Sequence, residues 1–259
     1  MTGDSDSNFS RRSAIGAAGL LAVGALGAGR AAAAGAADKV TIYHVEGRRS
    51  QRIIWLCEEI GAPYEVIFKR GDILGSLDMI RTVSPLMTVA PTVVFRGKTM
   101  VESGAIIEYL MSQFPGGAKL APPKSSPDYA DYLMWLHFAE GSAMPRLSVR
   151  PSATPAVPRT LPNGRVLKFV ETSDVVKFID DYIAAHPYFG GHTFSGADIM
   201  MDFLPNIIRL NKFDPKDFSH LLTWQQKIQA RPAYQRALKV GLPDGVPPDA
   251  PKPKPATPS

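Results

Sequence analysis

Glu102 and Ser103 are the residues of this 259-residue chain best placed for chemistry on a small molecule. They follow a short β-branched run, Thr92-Val93-Val94-Phe95, a turn at Arg96-Gly97-Lys98 and a second extended run from Thr99 to Val101. Ser103 stands where a helix N-cap belongs, with Ile106, Ile107 and Leu110 behind it at helical spacing. Pro91, just ahead of the first run, lacks a backbone donor and is a candidate for a cis peptide in a tight turn. Such a turn beside a helix N-terminus brings an exposed main-chain N–H and C=O next to a carboxylate and a hydroxyl. That set suits the end of a peptide carrying both an ammonium and a carboxylate group.

Other chemistries find little support. Hydrophobic residues make up 45% and charged residues 20%, ordinary values for a soluble globular protein. The net charge of +5 comes without a basic run or interleaved aromatics, which argues against nucleic-acid binding. The five histidines show no metal-ligand spacing, and there is neither a Gly-rich phosphate loop nor a G-x-S-x-G elbow. Cys57 is the single cysteine, so no intramolecular disulfide can form. It shares the apolar face of a helix with Ile53, Leu56 and Ile60, and reads as a core residue.

These residues need a scaffold, and the periodicity supplies one. Val40 to His44 reads as a strand, Ser50 to Ile60 as a helix stopped by Gly61 and Pro63, and Tyr64 to Phe68 as a second strand. A helix over Ser76 to Val83 and the stretch from Thr92 to Leu110 complete a β-α-β-α-β-β-α order. That is a thioredoxin-like α/β domain over residues 38–115, with a legal crossover and a final hairpin. After a linker at 116–125, residues 126–240 are helical only. Tyr129, Leu133 and Leu136 mark one helix, and Val166 to Ala185 a second. Ser195 and Asp198 are spaced as the N-cap and N3 of a third, with Phe194 and Ile199 as a hydrophobic staple. Ile199, Phe203, Ile207 and Leu210 would carry its buried face. Phe218 to Ala230 and Pro232 to Val240 finish the domain. Pro145 to Arg165, with five prolines, reads as a long loop. Residues 241–259 hold seven prolines and read as a disordered or polyproline-like tail.

Residues 1–37 stand apart. Arg11-Arg12 precedes an uncharged Ala/Gly/Leu stretch and small residues at Ala31 to Ala37, the pattern of a twin-arginine export signal. The expected destination is the periplasm, with a cytoplasmic protein and a low-complexity N-terminus as the alternative. The stretch is too short and Gly-rich for a stable membrane span.

Pro91-Thr92, followed by Glu102-Ser103-Gly104-Ala105-Ile106 and Tyr109-Leu110, resembles the glutathione-binding half of the glutathione transferase family. Trp135 to Ser142, Ser195-x-x-Asp198 and Arg231-Pro232-Ala233-Tyr234 are similar to its helical half, so the likeness runs from about Val40 to Lys239. It implies the glutathione transferase fold, a thioredoxin-like domain followed by a helical bundle, with glutathione as co-substrate, no metal and a homodimer. By the same likeness, Glu102 and Ser103 hold the γ-glutamyl end and the backbone of Ala90, beside Pro91, pairs with the cysteinyl unit. The glycyl carboxylate has Thr88 as one candidate. The thiol activator should lie at the end of the first strand or in the loop after it. Tyr43 stands where tyrosine-type members carry their hydroxyl, and Ser50 is the second choice. Arg48, Arg49 and Arg52 offer positive charge instead, and Arg49 is a candidate glutathione contact. Gly47 occupies the serine-type position without a side chain, and no cysteine stands near Arg49, which argues against disulfide reductase chemistry. The electrophile would sit between the Tyr43–Arg52 loop and the helical domain, against Phe138 and Arg146, with Pro145 to Arg165 overhanging the cleft. The expected activity is attack of the thiol on a small apolar electrophile; a non-catalytic binding protein and a glutathione-dependent peroxidase or isomerase are the alternatives.

Overall fold

The computed structural model describes residues 38–148, 159–167 and 170–248, so residues 1–37, where an export signal is expected, and the far tail lie outside the described residues. Four strands, β1 (Val40–Tyr43), β2 (Tyr64–Ile67), β3 (Thr92–Phe95) and β4 (Lys98–Met100), form one sheet in the order β2-β1-β3-β4. β1 runs parallel to β2 and antiparallel to β3, and β3 is antiparallel to β4. Alternation along β1 buries Val40 and Ile42 completely and leaves Thr41 and Tyr43 half-buried on the other face.

The helix after β1, α1 (Gln51–Ile60), ends at Gly61, whose φ of +68° suits glycine. It buries Ile53, Ile54, Trp55, Leu56, Cys57 and Ile60, a wider face than one packing surface needs. The reason is its central place: it packs on α3 (Ser103–Gln113) of its own domain and on α10 (Pro232–Gly241) of the helical domain. Burial pushes the Cys57 thiol up, as fits a core residue. α2 (Ile73–Arg81) begins three residues before the expected Ser76, because the Asp72 carboxylate caps it by accepting from Gly75 N at 2.8 Å. The expected linker opens with a 3₁₀ turn, Pro115–Leu120, and packs closely at that end. A Cβ on Gly116 would collide with the Ile60 carbonyl.

The helical domain contains α4 (Tyr129–Phe138), a π-helical turn (Ala139–Ala143), α5 (Met144–Ser148), α6 (Thr172–Ala185), α7 (Gly196–Met201), α8 (Leu204–Leu210), α9 (Ser219–Gln229) and α10. The Ser195/Asp198 box forms as expected. Ser195 N donates to the Asp198 carboxylate at 2.8 Å, and the Ser195 hydroxyl accepts from Ala197 N at 3.2 Å. Buried Asp198 also accepts from Phe189 N and Trp224 Nε1, both at 2.9 Å. Burial pushes its carboxyl up to about 6, and these three donors, with the Ser195 hydroxyl donating at 3.0 Å, hold that rise in check.

Three expectations for this half are corrected. The helix expected from Val166 starts only at Thr172, because Val166–Leu167 (β6) pairs with Arg159–Thr160 (β5) around an Asn163-Gly164 turn. Gly164 has φ +78°, the left-handed conformation such a turn needs. The expected loop over Pro145 to Arg165 therefore begins as helix and ends as hairpin, with 149–158 outside the described residues. Finally, the helix opened by Ser195 does not run on to Leu210. It breaks at Asp202-Phe203, and Pro205 sits in the first turn of a new helix. Leu204 and Ile208 become the buried positions, whereas Leu210 is 76% exposed.

The two halves are welded along α1 and α10. Gln51 Nε2 donates to the Ala237 carbonyl at 2.8 Å, and Arg231 grips Glu59 with two bonds of 2.7 and 2.8 Å. The Trp55 ring meets Tyr234 edge-on at 4.9 Å.

Candidate functional site

Strand direction alone gathers the predicted residues. Tyr43, the last residue of β1, pairs with Thr92, the first of β3, and Met100 of β4 pairs with Val93. The β1–α1 loop, Ala90-Pro91 and Val101–Ser103 thus leave the sheet at the same end. The β2–α2 connection joins them there, because Tyr43 is also in register with Ile67.

At the β4 side of this end the Ala90–Pro91 peptide is cis. Ala90 is half-exposed and, among the described residues, its main chain takes no hydrogen-bond partner. Glu102, not Ser103, is the N-cap of α3, so the expected cap shifts by one residue. Its φ of +74° and ψ of +107° lie outside the regions an L-residue favours, a strain of about 1–3 kcal/mol that the surroundings must impose. Neither Glu102 nor Ser103 caps the helix with its side chain. The Glu102 carboxylate is exposed, and among the described residues neither it nor the Ser103 hydroxyl has a partner. The first N–H groups of α3 point into the same corner, with the positive end of the helix dipole behind them. Thr88, the candidate for the glycyl end, gives its hydroxyl proton to the Ser84 carbonyl at 3.3 Å.

At the β1 side the candidate activators differ sharply. Tyr43 is half-buried, and its phenol takes no partner among the described residues. Ser50 is fully buried and its hydroxyl lies 2.8 Å from His44 Nδ1. The other ring nitrogen, Nε2, stands 2.6 Å from the Gly241 carbonyl, which can only accept. Nε2 must therefore carry the proton, leaving Nδ1 as acceptor for the Ser50 hydroxyl. Ser50 in turn accepts from Val45 N at 3.2 Å. The one proton it could offer a thiolate is already given away. Although Ser50 stands at the N-cap of α1, it makes no side-chain cap bond either.

The arginines are spoken for as well. Arg49 Nε donates to Glu140 at 2.8 Å, and Arg52 Nη1 to the same carboxylate oxygen at 2.5 Å. Arg52 is 3% exposed and also donates to the Met200 carbonyl at 2.5 Å; burial lowers its pKa, against the pull of Glu140. Arg48 is half-buried in the same loop. Glu140 reaches these cations from the π-helical turn after α4. With the Gly241 carbonyl at His44 and the Met200 carbonyl at Arg52, it ties the helical domain to the Tyr43–Arg52 segment. Phe138, expected there, instead joins an aromatic cluster, 5.0 Å from Trp135 and 5.5 Å from Phe178. Arg146 is exposed and donates to the Ser142 carbonyl.

Sequence reasoning missed His44, Glu46 and Glu140. Glu46 is 2% exposed, with one carboxylate oxygen accepting from Gly71 N at 2.6 Å and the other buried without a partner. Glu140 lies in the Trp135 to Ser142 stretch and His44 and Glu46 in the Tyr43–Arg52 loop, but no local pattern marks their partners. Among the described residues no cluster of His, Cys, Asp and Glu could hold a metal ion, and no helix is long and apolar enough to cross a membrane.

Comparison with known proteins agrees with this architecture. No family model matches the chain. Glutathione S-transferase 3 of Schizosaccharomyces pombe is 30% identical over 216 residues, which cover 77% of this chain and 87% of the relative. The disulfide-bond oxidoreductase YfcG of Escherichia coli is 26% identical over 200 residues, covering 77% and 88%. Among solved structures, a sphingomonad glutathione S-transferase complexed with glutathione superposes with a TM-score of 0.56 at 24% identity, over 78% of this chain and 98% of its own. The sheet order, the helical half and a relative matched over most of its length converge: the chain belongs to the glutathione S-transferase family.

Proposed function

We propose that this protein binds glutathione across the end of its sheet and readies the thiol for attack on a small apolar electrophile. The observation that carries the reading is the corner formed by Ala90, Glu102 and Ser103. There an exposed carboxylate, a hydroxyl, an unpaired main chain and a helix N-terminus stand together in a backbone held under strain. An ammonium would meet Glu102, a carboxylate would meet Ser103 and the α3 amides, and the cysteinyl main chain would pair with Ala90. With the tripeptide so placed, its sulfur points from the β3–β4 side toward β1.

A free thiol titrates near about 8.5 and is mostly protonated at neutral pH. A donor that hydrogen-bonds the anion more strongly than the thiol lowers that value. Tyr43 is the candidate whose donor is uncommitted, whereas Ser50 serves His44 and Arg49 and Arg52 serve Glu140. These commitments support Tyr43 as the activator. They also favour a second reading, a binding protein without turnover, if the Tyr43 phenol does not reach the sulfur. Calorimetry with glutathione tests the shared ground. Wild type is expected to bind at or below millimolar concentration, and Glu102→Gln and Ser103→Ala to bind about tenfold more weakly each. Absence of binding by wild type, or variants that bind equally well, contradicts the proposal.

A further inference from the structure

The eight residues from Gly241 to Pro248 were expected to open a disordered tail, yet they fold back over the thiol end of this site. α10 ends at Gly241, whose carbonyl accepts from His44. The chain then turns at Leu242–Gly245, closed by a 2.9 Å bond between the Gly245 amide and the Leu242 carbonyl. Gly245 has φ +73°, which a glycine allows at no steric cost. Asp244 meets Arg70 of the β2–α2 connection, with Arg70 Nε donating at 2.9 Å and Nη2 pairing with the other oxygen. Pro247 comes down on Gly47. A Cβ built on Gly47 would lie 2.6 and 2.7 Å from the Pro247 Cβ and Cγ, so only glycine fits beneath it.

Both contacts fall on loops that leave the sheet beside Tyr43. Glu46 links them, since it precedes Gly47 and accepts from Gly71 N, next to Arg70. We propose that residues 242–248 act as a strap that closes over the β1–α1 loop and controls access to the glutathione thiol. This rests on the glutathione reading given above. The fastening is weak by construction. Both partners of the Arg70–Asp244 pair are about half exposed, Val246 is 61% exposed, and the closed state leaves one Glu46 oxygen buried without a partner. Exposed ion pairs of this kind contribute little, so the strap opens readily and one charge sets how often. The strap contacts given above fall on the β1–α1 and β2–α2 loops, and none involves the γ-glutamyl corner at Glu102.

The test uses the full chain as wild type, Asp244→Arg, and the charge swap Arg70→Asp/Asp244→Arg. Asp244→Arg sets two cations against each other. It is expected to speed amide hydrogen exchange over residues 44–48 and 242–248 by about two- to fivefold. It should raise kcat/KM for a bulky aryl halide by a similar factor relative to chlorodinitrobenzene. The calorimetric Kd for glutathione should stay within about twofold of wild type. The swap should return exchange and turnover to wild-type values. Exchange and halide selectivity unchanged in Asp244→Arg, in protein that still binds glutathione, overturn the strap. Wild type that fails to bind glutathione overturns the glutathione reading and the gating role with it, while the exchange comparison still decides whether the strap closes.

Discussion

His44 is neutral in the folded chain because burial disfavours its charged form, and its pKa is pushed down to about 4 in spite of the Gly241 carbonyl. Both ring nitrogens are used, one for the end of α10 and one for Ser50, so a second proton would reverse the Ser50 bond and turn its hydroxyl toward the Val45 carbonyl at 3.4 Å. An unfolded histidine titrates near about 6.5. Between that value and about 4 the unfolded chain takes up a proton that the folded chain refuses, so the His44 contribution to stability falls as the pH falls. Asp198 opposes this trend, because its raised pKa makes the folded chain the better proton acceptor over much of the same range. Comparing wild type with His44→Gln in urea removes the Asp198 term. The stability difference between them is expected to shrink by about 3 kcal/mol from pH 6.5 to pH 4. A difference that stays constant with pH would show that His44 is not held neutral by its surroundings. None of this was legible in the sequence. His44 lies next to Tyr43 in a strand-like run, and its partner Gly241 is 197 residues away.

At the scale of elements, the chain announced what is local and hid what is not. The strand and helix order of the first domain, the stop at Gly61 and the Ser195/Asp198 box all follow from side chains a few residues apart, and all are present. The Asn163-Gly164 turn and Pro205 are equally local signals, but the helical spacing of the apolar residues around them masks both. Glu140 belongs to the hidden class. Its π-helical turn carries no residue pattern, and its role exists only because α1 delivers Arg49 and Arg52 to it. Arg52 is almost wholly buried, and Glu140 is the carboxylate it hydrogen-bonds, with Asp202 a weaker favourable charge. Glu140→Ala leaves a buried cation without its hydrogen-bonded counter-ion and is expected to cost about 3 kcal/mol in urea unfolding. Glu140→Gln, which keeps an acceptor, should cost less. Equal and negligible losses in both would mean that Arg52 finds its counter-charge elsewhere.

Across the whole molecule, the sheet end collects two unlike half-sites. The β3–β4 half offers unsatisfied groups in a strained backbone, an exposed Glu102 carboxylate and a buried Ser103 hydroxyl, at the Glu-Ser motif of the sequence. The β1 half is crowded with groups already bonded to the helical domain, to α10 and to the strap, and no sequence pattern records those long-range partners. That asymmetry is why the Glu102–Ser103 corner is marked in residue order, whereas the partners of the β1 groups are not. With Ser50, Arg49 and Arg52 committed, Tyr43 is the activator proposed above. The most direct test is the ultraviolet thiolate titration of glutathione bound to wild type, Tyr43→Phe and Ser50→Ala. The account predicts a thiol pKa well below about 8.5 in wild type and in Ser50→Ala, and a return toward that value in Tyr43→Phe. A Tyr43→Phe protein that ionises the bound thiol as well as wild type does would contradict it.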